Sequence, residues 1–176
     1  GYPGGAVLHI YDELIKHAET AMHTTKERGP DDLSFYTEDM NLRAQRQQNM
    51  ESAIRQALDR DEFVLHFQPK LDLKSGRIVG AEALIRWYQP RSGWVSPAEF
   101  IPVAEDSGLI VRLTQWVLQQ ACEQAQTWRA MGLAPLRMSV NISAIDFRQR
   151  DFIDNLATIL KETGLPAHQL ELEITE

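Results

Sequence analysis

The sequence predicts an α/β fold in which a parallel sheet or barrel follows an antiparallel first pair of strands. After residue 60, apolar strand patterns alternate with helical patterns, and crossovers of this length join parallel strands. The first two strand patterns, at 63–68 and 79–87, are joined by a segment with the short KSG turn at 74–76, which predicts a hairpin. The 176 residues are 43% hydrophobic, which is enough to bury a core.

The segment before residue 60 is interpreted as the end of another domain followed by a connecting helix. Apolar residues at helical spacing over 12–28 predict an amphipathic helix, and LSFY at 33–36 predicts an edge strand. The first 37 residues are too few for a core of their own. The Gln-rich segment 38–59 carries a narrow apolar stripe, which predicts a helix with one face against the protein.

The later elements have recognisable ends. Ser96 as N-cap, Pro97 in the first helical position and Glu99 predict a capping box at the start of a helix. Gly132 and Gly164 are expected to end two further helices. The remaining predicted elements are a helix at 113–131, a strand at 137–143, a helix at 151–163 and a strand at 170–176.

Composition narrows the range of partners. The net charge of −7 argues against a DNA or RNA polymer as a ligand held by bulk charge, although a local cationic pocket remains compatible with it. Cys122 is the single cysteine, so no internal disulfide forms, and a reducing compartment such as the cytoplasm is expected. No apolar run is long enough to span a membrane, so no membrane contact is expected from this segment, and any anchor would lie outside it.

Alternate residues of the three parallel strands separate into an apolar and a polar face. The polar face carries Glu82 and Arg86, Asn141, and Glu173 from successive strands. Two carboxylates and an amide carbonyl suit Mg²⁺, Mn²⁺ or Ca²⁺ better than zinc. Alternation is equally typical of an open sheet with a solvated face, so both interpretations stay open. The apolar face, expected to pack against helices, consists of Val79, Ala81, Ala83, Ile85, Trp87, Met138, Val140, Ile142, Leu170, Leu172 and Ile174.

Five motifs occur in order along the chain: QP at 68–69, EALIRW at 82–87, FIPVAEDSGLI at 100–110, SVNIS at 139–143 and ELEITE at 171–176. With them, residues 50–176 resemble the first part of an EAL-domain cyclic di-GMP phosphodiesterase. The resemblance implies a partial TIM-like (β/α) barrel with an antiparallel first strand.

A second resemblance concerns the start of the chain. YDELIKHAETAMHTTKERG at 11–29, with the LSFY that follows, resembles the end of a GGDEF domain, although AMHTTK departs from the usual AMY-x-AK pattern. The chain is therefore interpreted as a piece of a tandem GGDEF-EAL protein. Its parts would be a GGDEF remnant at 1–37, a connecting helix at 38–59 and the N-terminal part of an EAL domain at 60–176.

The EAL resemblance implies hydrolysis of cyclic di-GMP to linear pGpG by a water activated by Mg²⁺ or Mn²⁺. By motif match, Glu82, Asn141 and Glu173 are the metal ligands, and Glu82 and Glu173 are catalytic. Gln68, Leu84 and Arg86 would contact the substrate, and Glu176 would support the site.

The family also carries a DDFG segment, a lysine and a glutamate beyond ELEITE, so this chain alone is expected to be inactive and to leave its barrel open. The alternative function is a non-catalytic receptor or regulatory module for cyclic di-GMP or a protein partner. A homodimer is expected in the intact protein. Among the other residues, His66 is interpreted as satisfied within its strand, Cys122 as structural, and Glu99, Glu105 and Asp106 as cap and surface charges.

Overall fold

The computed structural model describes residues 38–175. The chain divides into two compact units, residues 1–50 and 51–176, and the described part of the first unit is helical. The predicted helix at 12–28, the LSFY strand, the GGDEF remnant and Glu176 lie outside the described residues. Within residues 38–175, no helix is long and apolar enough to cross a membrane.

The described chain contains five helices and five strands, together with a short 3₁₀ turn at Ala167–Gln169. The helices are α1 (Glu38–Asp59), α2 (Pro97–Asp106), α3 (Ile110–Ala130), α4 (Ala144–Phe147) and α5 (Phe152–Thr163). The strands are β1 (Phe63–Leu71), β2 (Ile78–Gln89), β3 (Gly93–Val95), β4 (Arg137–Ser143) and β5 (Leu170–Thr175).

The five described strands form one open, mixed sheet in the order β1-β2-β4-β5, with β3 paired to β2. β1 and β2 are antiparallel, which confirms the predicted hairpin. β2, β4 and β5 are parallel, which confirms the predicted crossovers. The α/β class is therefore confirmed, and among residues 38–175 the strands do not close into a barrel.

The strand register gathers the polar side chains on one side of the sheet. Gln68 lies opposite Glu82, and Glu82 lies beside Ser139 of β4. Asn141 of β4 lies beside Glu173 of β5. Because residues paired across a sheet share a face, these positions form one polar surface, called the front face below. It includes Gln68, Lys70, Glu82, Leu84, Arg86, Ser139, Asn141, Glu171 and Glu173.

The opposite face of the sheet packs on helices α3 and α5. Met138, Val140 and Ile142 of β4 are buried against Leu118 and Ala121 of α3. Burial of each large side chain contributes about 1.5 to 3 kcal/mol, so this layer fixes the position of β4 in the sheet. The predicted apolar back is thus confirmed at its centre. At its ends the prediction is wrong, since Val79 and Ile174 are exposed.

Several local features differ from the sequence prediction, among them the unpredicted short helix α4. Ser96 has the extended backbone of an N-cap and Pro97 follows it, but the Ser96 side chain makes no capping hydrogen bond, so the predicted capping box is absent. Helix α3 begins at Ile110, three residues before the predicted start. Strand β3 was not predicted, because GWV is too short to show alternation. Gly164 does end α5, with a left-handed φ of 70°.

Candidate functional site

The centre of the front face is a contact between two of the predicted ligands. The Asn141 Nδ2 group donates a hydrogen bond of 2.7 Å to Glu82 Oε1. Both side chains are half-buried, and the buried back of β4 holds Asn141 in place. The structure therefore brings together two polar residues that are 59 positions apart in the chain.

Glu173 lies beside Asn141 in the parallel register, but its carboxylate is directed to another partner. It forms an ion pair and a hydrogen bond with the Lys70 ammonium of β1. The hydrogen bond from Lys70 lowers the pKa of Glu173 below its usual value. The same bond raises the pKa of Lys70. Both side chains are 37% exposed, so solvent screens this pair.

Sequence reasoning missed Lys70 and two of its neighbours. The Lys70 Nζ atom also donates a 2.7 Å hydrogen bond to Ser139 Oγ, and this hydroxyl donates to Glu171 Oε2 at 3.2 Å. All three residues share the alternation of residues already identified: Lys70 follows Gln68 by two positions, and the other two precede Asn141 and Glu173 by two. Alternation along the strands already places Ser139 and Glu171 on the polar face and would place Lys70 there too, but it does not show that the three side chains bond to one another.

Two of the three predicted substrate residues, Leu84 and Arg86, lie around a cleft between the C-terminal ends of β2 and β4 and helices α2 and α3. This cleft has a volume of about 240 Å³, and its lining includes Leu84, Arg86 and Asn141. The Arg86 Nη1 group donates a 2.7 Å hydrogen bond to the Ile85 carbonyl. Gln68 is exposed opposite Glu82 on β1 and is not among the described lining residues. The structure thus places Leu84, Arg86 and Asn141 around one cleft, whereas Gln68 lies opposite Glu82 on β1.

A network of acidic groups and hydroxyls closes the C-terminal end of β4. Ser143 caps α4: its backbone N–H donates a 3.0 Å hydrogen bond to Asp146 Oδ2, and its hydroxyl donates a 2.7 Å hydrogen bond to Glu105 Oε1. Thr114 of α3 donates a 2.8 Å hydrogen bond to the same Asp146 oxygen. Asp146 is only 1% exposed, and burial raises the pKa of its carboxyl.

This network corrects one interpretation and adds a residue that the sequence did not indicate. Glu105 is half-buried and bonded to Ser143, so the surface role assigned to Glu105 is wrong. The position of Glu105 inside the FIPVAEDSGLI motif could have indicated that this residue belongs to the site. Asp146 completes a capping box with Ser143, although the same kind of motif fails at Ser96. The network fixes the end of β4 two residues after Asn141.

Two further residues lie outside the polar centre. His66 lies within β1, where it is exposed and its ring lies edge-on to Trp94 with 5.7 Å between centroids, and its interpretation as a histidine satisfied within the strand stays a prediction. Cys122 is fully buried in the core, where burial raises the pKa of its thiol to about 11. That environment agrees with a structural role for the thiol.

The front face was tested as a metal site by its donor chemistry. Glu82, Asn141 and Glu173 offer carboxylate and amide oxygens on three neighbouring parallel strands, which is the donor type that Mg²⁺ and Mn²⁺ prefer. Glu82 and Asn141 are already in contact. Among the described residues, no cluster of three or more His, Cys, Asp or Glu side chains is arranged around one point. These side chains are of the type that binds a divalent cation, but the Glu173 carboxylate forms an ion pair with Lys70.

Oxygen donors and an arginine lie towards the C-terminal ends of the parallel strands in this open α/β sheet, which is the edge where α/β proteins place their ligand sites. The EAL domain family matches residues 51–176, and the chain belongs to this family.

Two curated relatives come from Pseudomonas aeruginosa. The bifunctional diguanylate cyclase/cyclic di-GMP phosphodiesterase MucR is 39% identical over 176 residues, which cover 99% of this chain and 25% of MucR. The cyclic di-GMP phosphodiesterase NbdA is 38% identical over 165 residues, which cover 94% of this chain and 21% of NbdA. The chain thus spans about a quarter or less of these relatives.

A solved structure of the MucR phosphodiesterase in complex with c-di-GMP has a similar fold. It superimposes with a TM-score of 0.68 at 41% sequence identity, covering 73% of this chain and 52% of that one. The open mixed sheet described above is therefore the arrangement of an EAL domain.

Proposed function

We propose that the intact protein containing this chain is a cyclic di-GMP phosphodiesterase that hydrolyses its substrate to linear pGpG. The observation that carries the proposal is the contact between Glu82 and Asn141 on the front face, beside the cleft that Arg86 lines. Family membership supports it, because the relatives MucR and NbdA are named as phosphodiesterases of this dinucleotide.

In this proposal Glu82, Asn141 and Glu173 hold Mg²⁺ or Mn²⁺ through their side-chain oxygens. A divalent cation at this position supplies Lewis acidity toward the scissile phosphate and toward the attacking water. The two side chains are already in contact through the hydrogen bond from Asn141 Nδ2 to Glu82 Oε1, and Asn141 would have to turn its amide to present Oδ1 to the cation. Glu173 must turn at least one oxygen away from Lys70. Glu176 is proposed to support the site.

Arg86 and Leu84 are proposed to hold the dinucleotide. The guanidinium of Arg86 donates one hydrogen bond to the Ile85 carbonyl. Its other N–H groups, which lie in the same plane, can donate to a phosphate. Leu84 lines the same cleft and offers an apolar surface to the ligand. Gln68, exposed next to Glu82 in the hairpin register, is proposed to reach the ligand from the β1 side.

A second function is favoured by one observation. The ion pair between Lys70 and Glu173 occupies a proposed metal ligand, which would suit a receptor that binds cyclic di-GMP without hydrolysing it. Three features of the intact protein stay predictions. They are the tandem GGDEF-EAL organisation with boundaries at 37 and 59, the homodimer and the cytoplasmic location.

The test is the formation of pGpG by the intact protein in Mg²⁺ or Mn²⁺, separated chromatographically from cyclic di-GMP. We expect Glu82→Ala to lower the rate at least about 100-fold, because it removes a ligand of the cation that stabilises transition-state charge. Glu162→Ala, which removes an exposed carboxylate from α5, is the matched control and should leave the rate unchanged. Binding of cyclic di-GMP with no pGpG formed by the wild type would establish the receptor function instead.

A further inference from the structure

Lys70 crosses the front face to reach residues on strands β4 and β5. It lies opposite Gly80 in the hairpin register, and Gly80 has no side chain that could stand between Lys70 and strand β4. The Lys70 ammonium therefore extends over β2 to Ser139 Oγ at 2.7 Å and to the Glu173 carboxylate. One cation of the hairpin thus bonds to two parallel strands that it does not pair with.

The ammonium lies among front-face carboxylates and bonds directly to that of Glu173. The hydrogen bond to Glu173 raises the pKa of Lys70, burial lowers it, and the negative charges of Glu173, Glu171 and Glu82 raise it further. Ser139 links Lys70 to Glu171, because its hydroxyl accepts a hydrogen bond from Lys70 and donates one to Glu171. A region of carboxylates and other oxygen donors is also where a divalent cation is most strongly attracted.

We propose that Lys70 is an internal competitor of the divalent cation: its ammonium holds Glu173 when the metal is absent and must withdraw when the metal binds. The proposal rests on the metal site of the proposed function and adds a residue that sets its affinity. The Lys70 chain is flexible and 37% exposed, so it has room to swing into solvent. Competition of this kind would keep the carboxylates from repelling each other in the metal-free protein.

The test measures Mn²⁺ binding to the intact protein by calorimetry, without nucleotide, for the wild type and for Lys70→Met, which keeps most of the side-chain length and removes the charge. We expect Lys70→Met to bind Mn²⁺ about tenfold more tightly, because one repelling charge is gone from a partly screened site. We also expect its melting temperature in chelator to fall below that of the wild type. Lys74→Met, an exposed lysine of the β1–β2 turn, changes net charge equally and should alter neither quantity.

The outcomes separate this inference from the proposed function. Tighter Mn²⁺ binding together with a lower metal-free melting temperature supports competition, since loss of a merely structural contact would not raise affinity. Unchanged or weaker binding by Lys70→Met, when Glu82→Gln abolishes binding, overturns the inference and leaves the metal site standing. If neither wild type nor Lys70→Met binds Mn²⁺, the metal site and the inference both fail.

Discussion

Asp146 is expected to contribute more to stability than any exposed acidic residue of the chain. Its carboxylate accepts hydrogen bonds from Thr114 Oγ1 at 2.8 Å and from the Ser143 N–H at 3.0 Å, in a position only 1% exposed. Asp146→Ala leaves both donors buried without this acceptor, and each buried unsatisfied group costs about 1 to 3 kcal/mol. Removing an acid whose burial is itself unfavourable offsets part of that cost. We expect a net loss of about 2 to 4 kcal/mol.

The assay is urea unfolding of the full chain, followed by tryptophan fluorescence and compared at constant m value. Asp151→Ala is the matched control, because Asp151 also precedes a helix but makes no side-chain capping hydrogen bond. We expect this control to cost less than about 0.5 kcal/mol. Equal losses for the two variants, or a loss below about 0.5 kcal/mol for Asp146→Ala, would refute the reasoning from buried hydrogen bonds.

Two further predictions concern pH and strand spacing. Burial raises the pKa of Asp146 above its ordinary 3.8, so the folded state holds this proton more tightly than the unfolded state does. The stability of the wild type relative to Asp146→Asn should therefore be greatest below pH 3.8 and decrease as the pH rises through the raised pKa. Urea midpoints of the two proteins across that range check this, and a stability advantage of the wild type that grows with pH would contradict it. A Cβ at position 80 would lie 2.6 Å from the Arg137 carbonyl oxygen, so Gly80→Ala should cost about 1 to 3 kcal/mol in the same unfolding assay. Val79→Ala, at an exposed neighbour, should cost much less, and equal costs would count against the steric explanation.

The centre of the site was predictable from sequence because two simple rules determine it. Side chains alternate along a strand, and the apolar residues of β4 leave only one face for Asn141. Parallel crossovers then place β4 beside β2, so Glu82 and Asn141 lie on one surface. The predicted hairpin set the position of Gln68 in the same way.

The contacts that cross several strands were not predictable in this way. Lys70 and Glu173 are 103 positions apart and lie on the first and last strands of the described order, so their pairing depends on sheet curvature and side-chain reach, which alternation does not encode. The capping box predicted at Ser96 is absent for a different reason. Ser96 and Glu99 are both exposed, so water can bond to the backbone N–H groups at the start of the helix that a buried cap would have to satisfy.

The glycine at position 80 has a consequence for how sequences of this kind can diverge. Its missing side chain allows β2 and β4 to approach at the Arg137 carbonyl, two residues before Glu82. A relative with a larger residue there would have to separate these strands locally, and the separation would lengthen the distance between Glu82 and Asn141. Selection on the geometry of a polar site would therefore act on a position that bears no functional group.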